Sequence, residues 1–229
     1  MDQLKLDLIA HLSGCITKKR LALFKQVLAK RTRYLTVLLE DIYQAQNASA
    51  VLRTCDCNGI QDVHIVEERN SCEIDREVAL GSDQWLTLHY HTQKKDNLIR
   101  AVQSLRKEGY RIVATTPHGK GSTPESFDLQ KGRAVIMFGT ELNGLSDSAL
   151  EQADETIQIP MAGFTESYNI SVSAAIILYT LRKRLEASSL SWALGEEEKL
   201  QLLLDWLRTS IKKSDLIEDK FIKDYRPDF

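Results

Sequence analysis

Apolar and polar positions follow one another along the chain in a pattern that predicts strands separated by helices. Short runs rich in Val, Ile, Leu and Tyr, of the length typical of buried strands, lie at residues 34–40, 62–66, 86–91, 111–115, 135–138 and 156–159. Between these runs, and after the last of them, apolar residues and helix start and stop signals predict helices at 46–58, 75–80, 96–107 and 146–153, and one that runs from Asn169 or Ser171 to Ala187. This alternation is typical of an α/β domain with a mostly parallel sheet and helices on both faces.

Both ends of the chain lie outside this alternation. Residues 3–31 predict one or two helices interrupted near Gly14, and residues 196–210 and 214–223 predict two more after a serine-rich joint at 188–194. The sequence therefore predicts three parts, which are a basic helical extension at 1–33, an α/β domain at 34–187 and a C-terminal helical extension at 188–229.

Composition limits the class of protein. With 229 residues and 43% hydrophobic content, the chain can form one large domain with a real core. No apolar run is long enough to span a membrane, and the start of the chain lacks the apolar stretch of a secretion signal, so we expect a cytoplasmic protein. Cys55 and Cys57 form C-x-C with no second pair nearby, which disfavours zinc and predicts free thiols, buried or half-buried.

Charge is distributed unevenly although the net charge is only −2. Residues 1–33 hold eight Lys and Arg against two Asp, a surplus of six positive charges. A basic amphipathic segment on a mildly acidic body indicates an anionic partner, most commonly nucleic acid. A solvated helix face is the alternative.

Common cofactor and catalytic signatures are missing from the sequence. The first predicted strand is not followed by G-x-G-x-x-G, and the chain contains neither a phosphate-binding P-loop nor a G-x-S-x-G elbow. His64, His89 and His91 fall in predicted strands and are scattered along the sequence, so a metal site or a catalytic triad has no local support. An enzyme of this sequence would use loop backbone and a few polar side chains.

Three groups of polar residues remain, and each follows a predicted strand. They are Asn47 with Arg53, then Gly139-x-Glu141-x-x-Gly144, then Ser167-x-Asn169-x-Ser171. Because the carboxyl ends of parallel strands meet at one edge of a sheet, we expect all three groups to lie at the same edge. Loops held there by a rigid sheet are where binding and catalysis usually occur.

These groups carry a resemblance to a known family. Residues 47–54 (N-A-S-A-V-L-R-T), 137–146 (M-F-G-T-E-L-N-G-L-S) and 159–175 (I-P-M-A-G-F-T-E-S-Y-N-I-S-V-S-A-A) resemble, in order and spacing, the three motifs of the SpoU/TrmH branch of the SPOUT RNA methyltransferases. The resemblance spans residues 34–187.

The resemblance implies a fold, a reaction and partners. The family fold is a deep trefoil knot at the carboxyl end of the sheet, whose loops bind S-adenosylmethionine, and the active form is a homodimer. The extensions at both ends are similar to those of the subgroup that methylates the ribose 2′-hydroxyl of the D-loop guanosine, position 18, in tRNA. Methylation of rRNA or of another tRNA nucleotide, and a non-catalytic RNA-binding relative, remain as alternatives.

The resemblance also implies roles for single residues. It places Arg53 at the reacting hydroxyl, Asn47 beside it as an orienting amide, and Glu141 as a positioning contact across the dimer. Ser167 and Asn169 would face the methyl donor and the ribose. Each has a simpler alternative: a surface arginine in a salt bridge, a helix N-cap, an exposed loop carboxylate, and capping of the helix that follows.

Two larger sets complete the expected sites, and no metal is expected. Donor contacts are expected from Thr115, Gly139, Gly144, Ile159, Met161, Tyr168 and Asn169. For Ile159 and Met161 the alternative is an ordinary core position. Contacts with tRNA phosphates are expected from Lys18, Lys19, Arg20, Lys30, Arg31 and Arg33.

Overall fold

The sheet is built from six parallel strands. The computed structural model describes residues 3–92, 95–118 and 121–225. The strands are β1 Leu35–Glu40, β2 Asp62–Val66, β3 Thr87–His91, β4 Arg111–Thr115, β5 Ala134–Phe138 and β6 Glu155–Ile157. Their order across the sheet is β3-β2-β1-β5-β4-β6, and every neighbouring pair is parallel. The predicted α/β class is confirmed, and the sheet is wholly parallel.

The helices agree closely with the predicted segments. They are α1 Gln3–Ser13, α2 Lys18–Leu28, α3 Ala45–Cys57, α4 Arg76–Ala79, α5 Asn97–Lys107, α6 Asp147–Glu151, α7 Ile170–Glu186, α8 Glu196–Ser210 and α9 Ser214–Asp224. In the described part of the chain, none of them combines the length and the apolar character needed to cross a membrane.

The chain divides into two compact units. The first, Thr32–Trp192, contains the whole sheet and α3 to α7. The second combines Met1–Arg31 with Ala193–Phe229 and contains α1, α2, α8 and α9. Within the second unit α8 packs against the other three helices, and Phe24 meets Trp206 edge to face with ring centroids 5.6 Å apart.

Strand β1 is buried on both faces because helices cover both sides of the sheet. Val37 and Leu39 pack into the core that includes Ala48 of α3 and Ile177 of α7. Leu38 points the other way and packs with α5. Such continuous apolar strands are typical of parallel sheets, and they hold the strand ends rigidly.

All four cysteines are free thiols. Cys55 is buried and Cys72 is half-buried, and burial raises the pKa of the Cys72 thiol to about 11. Cys15 and Cys57 are exposed. The expectation of buried or half-buried thiols is therefore wrong for these two residues.

Three histidines lie together on β2 and β3. The parallel register places His64 beside His89, and their rings stack with centroids 4.4 Å apart. His64 Nδ1 lies 3.1 Å from His91 Nε2, and His89 Nε2 lies 3.0 Å from Asp62 Oδ1. The interpretation of these histidines as scattered is wrong in three dimensions. Among residues 3–92, 95–118 and 121–225, however, no group of three or more His, Cys, Asp or Glu side chains is arranged to hold a metal ion.

Burial keeps His64 neutral. Desolvation, reinforced by His89 and His91, lowers the pKa of His64 from 6.5 to about 3. Between these two values the unfolded chain binds a proton that the folded chain excludes. The contribution of His64 to stability is therefore complete above pH 6.5 and is lost progressively as the pH falls towards 3.

We expect His64→Asn to reduce the acid sensitivity of folding. About pH 5 is roughly 1.5 pH units below the pKa of His64 in the unfolded chain. Protonation of His64 in the unfolded state therefore lowers the free energy of unfolding of the native protein by about 2 kcal/mol. The amide of Asn can still bond to His91 but does not titrate in this range. Urea unfolding of both proteins at about pH 7.5 and about pH 5 measures the difference. An equal loss of unfolding free energy in the two proteins would contradict the assignment.

Candidate active site

Three polar segments from separate strand ends meet through side-chain hydrogen bonds. Asn47 Nδ2 donates to Glu141 Oε1 at 2.5 Å and to Gln44 Oε1 at 2.9 Å. Asn169 Nδ2 donates to Asn47 Oδ1 at 3.2 Å. Both N–H groups and the oxygen of the Asn47 amide are thus engaged, which determines its orientation. The structure brings Asn47, Glu141 and Asn169 together.

Both asparagines are placed by the starts of helices. Helix α3 has Gln44, not Asn47, as its N-cap residue, so the capping alternative for Asn47 is wrong. The helix begins at Ala45, which leaves Asn47 in the first turn and only 9% exposed. Asn169 is the N-cap of α7, where its Oδ1 accepts the N–H of Ser171 at 2.8 Å. The two polar atoms of the Asn169 amide therefore have separate roles, since Oδ1 caps α7 and Nδ2 donates to Asn47.

A tight loop follows β5. Thr140 and Gly144 exchange two backbone hydrogen bonds of 2.9 Å, and Gly144 adopts a φ of +67°. The loop folds back so closely that a Cβ atom on Gly139 would lie 2.1 Å from the Gly144 oxygen. Gly139 is therefore needed for the close approach of backbone, and Gly144 for the left-handed conformation.

This loop forms one wall of a pocket of about 320 Å³ at the carboxyl edge of the sheet. Most of the expected donor contacts line it, as do two of the expected catalytic residues: Thr115, Gly139, Gly144, Ile159, Met161 and Tyr168, with Glu141 and Ser167. Asn169 is not among the lining residues, and its amide is directed to Asn47 instead.

The pocket has apolar walls and a backbone-rich rim. Buried Phe138 and Ile157 lie at its base, at the ends of β5 and β6. β6 ends at Ile157, two residues earlier than predicted, so Ile159 lies in the following loop, where it lines the pocket and also packs against the core. The Thr115 hydroxyl donates to the Met137 carbonyl at 2.8 Å, which joins β4 to β5 at the pocket.

Two titratable residues at the pocket were missed in the sequence. His118 and Glu166 both line it, and His118 Nε2 lies 3.7 Å from Glu166 Oε2. The available signal was their position in the sequence, because His118 follows the end of β4 and Glu166 precedes the start of α7, and both of these termini lie at the site. Gln44, the second acceptor of the Asn47 amide, was also missed.

Arg53 stands apart from this cluster. It is exposed and does not line the pocket, and its side chain has no hydrogen-bond or ion-pair partner among the described residues. Six residues separate it from Asn47, which corresponds to a rotation of about 240° around an α-helix. The expectation that Asn47 and Arg53 face one pocket is therefore wrong within a single chain. Arg53 is a surface residue, as the alternative predicts, but it forms no salt bridge among the described residues.

The basic residues of the N-terminal segment differ in exposure. Four of them lie exposed in or just after α2, namely Lys18, Lys19, Arg20 and Lys30. Arg31 is 1% exposed and its guanidinium lies 5.3 Å from the ring centroid of Trp206, so its prediction as a phosphate contact is wrong. Arg33 is half-buried, and its Nε donates to Asp62 Oδ2 at 2.6 Å, so its positive charge is paired with a carboxylate of the same domain.

A family model, a curated relative and a solved structure all relate this chain to the same group of RNA methyltransferases. The model of the SpoU rRNA Methylase family matches residues 34–179. A tRNA (guanosine(18)-2′-O)-methyltransferase of Borreliella burgdorferi is 44% identical over 219 residues, which cover 96% of this chain and 98% of the relative. The crystal structure of the A. aeolicus TrmH/SpoU tRNA modifying enzyme superposes with a TM-score of 0.74 at 31% identity, covering 86% of this chain and 98% of that one.

A more distant structure shares the fold. The SpoU methyltransferase AviRb of Streptomyces viridochromogenes, solved in complex with the cofactor AdoMet, superposes with a TM-score of 0.58 at 23% identity, covering 71% of this chain and 62% of that one.

We expect Gly139→Ala to destabilise the loop after β5. The new methyl group would overlap the Gly144 backbone, and overpacking of this kind costs about 1–3 kcal/mol. Gly163→Ala is the matched control, because a Cβ atom there meets nothing within 4 Å. Urea unfolding compares the two variants, and equal unfolding free energies would contradict the steric account.

Proposed function

The chain belongs to the SpoU methylase family, and from this premise we propose that it transfers a methyl group from S-adenosylmethionine to the ribose 2′-hydroxyl of guanosine 18 in tRNA. The observation that carries the proposal is that one loop contributes to both the pocket and the polar cluster of Asn47 and Glu141. Residues 139–144 form a wall of the pocket, and the same loop supplies the Glu141 carboxylate that meets Asn47. A donor site and a polar reaction site are therefore adjacent.

The pocket suits the proposed donor. Its volume of about 320 Å³ lies at the lower end of the range of small-molecule sites. The apolar side chains of Phe138, Ile157 and Ile159 can pack against an adenine ring, and the backbone of residues 139–144 offers polar groups. The donor supplies an electrophilic methyl group, and Ser167 and Tyr168, just before α7, would help to orient it.

Asn47 and Glu141 would orient the reacting ribose. Glu141 Oε1 accepts the Asn47 N–H, whereas Glu141 Oε2 has no hydrogen-bond partner in the described part of the chain. An exposed carboxylate oxygen beside the pocket is an acceptor for a guanidinium. Arg53 of the same chain faces elsewhere, so we propose that Glu141 receives Arg53 from a second copy.

Arg53 would act on the hydroxyl without removing its proton. A guanidinium has a pKa above about 12 and is a poor base at neutral pH. Its planar fork can bind the RNA phosphate in a bidentate way and stabilise the developing alkoxide. The phosphate would accept the proton.

Exposed apolar residues support a homodimer. Leu142 and Phe164 in the site loops are 90% and 108% exposed. Three more large apolar side chains are also exposed, Tyr168 just before α7 and Val172 and Tyr179 within it. Monomeric proteins rarely expose this many large apolar side chains in one region without an interaction to cover them. A second copy that covers α7 would bury them.

The path of the chain beside β6 supports the proposed knot. Ser122, in the connection from β4 to β5, pairs with Ile157 of β6 in an isolated parallel bridge. A Cβ atom on Gly121 would lie 2.5 Å from Thr156 Oγ1, so this connection is held tightly against β6. We propose that it forms part of a trefoil knot whose loops are the pocket walls.

The two units would divide the work in a cytoplasmic, metal-independent enzyme. The unit Thr32–Trp192, which contains the predicted domain 34–187, would perform methyl transfer, and α2 in the other unit would bind tRNA. Lys18, Lys19, Arg20 and Lys30 present exposed positive charge, which contributes affinity for phosphates without base specificity.

The proposal is tested with purified protein, S-adenosylmethionine and a tRNA transcript. We expect one methyl group per transcript, mapped to the ribose of guanosine 18. A transcript with 2′-deoxyguanosine at position 18 is the matched control and should accept none. Methylation at another tRNA nucleotide or only in rRNA would support the alternative substrates, and absence of transfer to either RNA would indicate a non-catalytic relative.

In the same assay, Arg53→Lys should lower the single-turnover rate by about 100-fold or more, because the charge remains but the bidentate fork is lost. Donor affinity should not change, since Arg53 does not line the pocket. A rate near that of the native protein would exclude this role for the guanidinium.

Replacement of Lys18, Lys19 and Arg20 by Ala should weaken tRNA binding and leave donor binding intact. Loss of about three phosphate contacts should reduce the dependence of log K on log salt by roughly 2 to 3. The matched control removes three exposed lysines from the C-terminal segment, Lys212, Lys220 and Lys223, and should have a smaller effect. Equal tRNA affinity of the native protein and the α2 variant at moderate salt would rule out the role of α2.

A further inference from the structure

A buried carboxylate at the end of β1 holds the far end of the pocket loop. Glu40 is the last residue of β1 and is 5% exposed. Its Oε2 accepts the backbone N–H of Ser146 at 2.9 Å, and its Oε1 accepts the Ser146 hydroxyl at 2.5 Å. Both carboxylate oxygens are thus bonded to one residue that is 106 positions away in the sequence.

Ser146 connects this carboxylate to the next helix. Its Oγ accepts the N–H of Ala149 at 3.1 Å and so caps α6 while it donates to Glu40. Within the described residues, Glu40 forms no ion pair with a Lys, Arg or His side chain. A buried carboxylate without a cation depends on its hydrogen-bond donors, and Ser146 supplies both of them.

The contact lies at the end of the loop that runs from Gly139 to Ser146. The loop leaves β5 at one end and is closed internally by the two Thr140–Gly144 backbone bonds. The Glu40–Ser146 contact holds its other end. Since this loop both walls the pocket and carries Glu141, the contact can set the geometry of both.

The same strand end also leads to the reaction site. Asp41 follows Glu40 directly, and its Oδ1 accepts the backbone N–H groups of Arg69 and Asn70, each at 2.8 Å. The chain then enters α3, which carries Asn47. The end of β1 is therefore bonded to the pocket loop through Glu40 and to the loop after β2 through Asp41.

We propose that Glu40 and Ser146 are positioning residues that hold the loop from Gly139 to Ser146 in the conformation that binds the methyl donor and places Glu141 against Asn47. The inference rests on the proposed function, because donor binding is its readout. Neither residue touches the donor in this account, since neither lines the pocket.

The expected effect follows from population shift. If some molecules leave the loop conformation that binds the donor, the apparent association constant is the intrinsic one multiplied by the fraction of molecules that still have that conformation. A hydrogen bond to a charged group corresponds to about tenfold or more in such an equilibrium. Saturating donor selects the competent loop, so kcat should change by less than about twofold while the donor KM rises.

The test measures S-adenosylmethionine binding to the full chain by calorimetry. Ser146→Thr keeps both the hydroxyl donor and the helix cap and should bind within about twofold of the native protein. Ser146→Ala should bind about tenfold more weakly. Ser146→Asp separates the two roles of the serine side chain, because an Asp carboxylate is a good N-cap but cannot donate to Glu40 and repels it, while the backbone N–H of residue 146 is kept. It should lose at least as much affinity as Ser146→Ala.

Glu40→Gln completes a double-mutant cycle with Ser146→Ala. If the two residues act through one contact, the double variant binds no more weakly than the weaker single variant. Ser146 is exposed, so its variants carry the test even if Glu40→Gln does not fold.

Two results would overturn the inference. Native affinity in Ser146→Asp would show that only the α6 cap matters, and additive losses in the double variant would show that Glu40 and Ser146 act separately. Absence of donor binding by the native protein would instead contradict the proposed function, and this inference with it.

Discussion

The common direction of the six strands is the constraint on which the site depends. Each strand ends at the same edge of the sheet, so loops that are distant in sequence begin from neighbouring points. Asn47 can therefore meet Glu141 across 94 residues and Asn169 across 122 residues. The pocket has the same origin, because its walls follow β4, β5 and β6.

A directional chain of hydrogen bonds makes this meeting specific. Asn169 donates to Asn47, and Asn47 donates to Glu141. An amide can serve in such a chain in only one orientation when its neighbours are a donor on one side and acceptors on the other. The Oδ1 of Asn169 caps α7, so the start of α7 also orients the polar side chains of the site. Networks of this kind are stabilising when every member is satisfied.

Local sequence patterns predicted most of the helices and strands, but they could not predict contacts between residues that are distant in the sequence. Strands buried on both faces are continuous apolar runs, which is why they were recognised and why the sheet could be expected to be parallel. The stacking of His64 on His89 depends on the register of β2 and β3, which no local pattern specifies. Arg31 is buried against Trp206, 175 residues later in the chain, so a count of basic residues placed it wrongly on the surface. The motifs located the strand-end residues of the site, but the periodicity of α3 alone, applied strictly, would have separated Arg53 from Asn47.

The most direct test of the central claim is a crystal structure of the full chain with S-adenosylmethionine. The account predicts that the donor occupies the pocket between Thr115, Gly139 and Ile159, with its methyl group directed towards the side where Glu141 meets Asn47. It also predicts that the loop from Gly139 to Ser146 keeps the conformation described above. Donor bound anywhere else on the protein, or a pocket whose loop must unfold to admit it, would contradict the account.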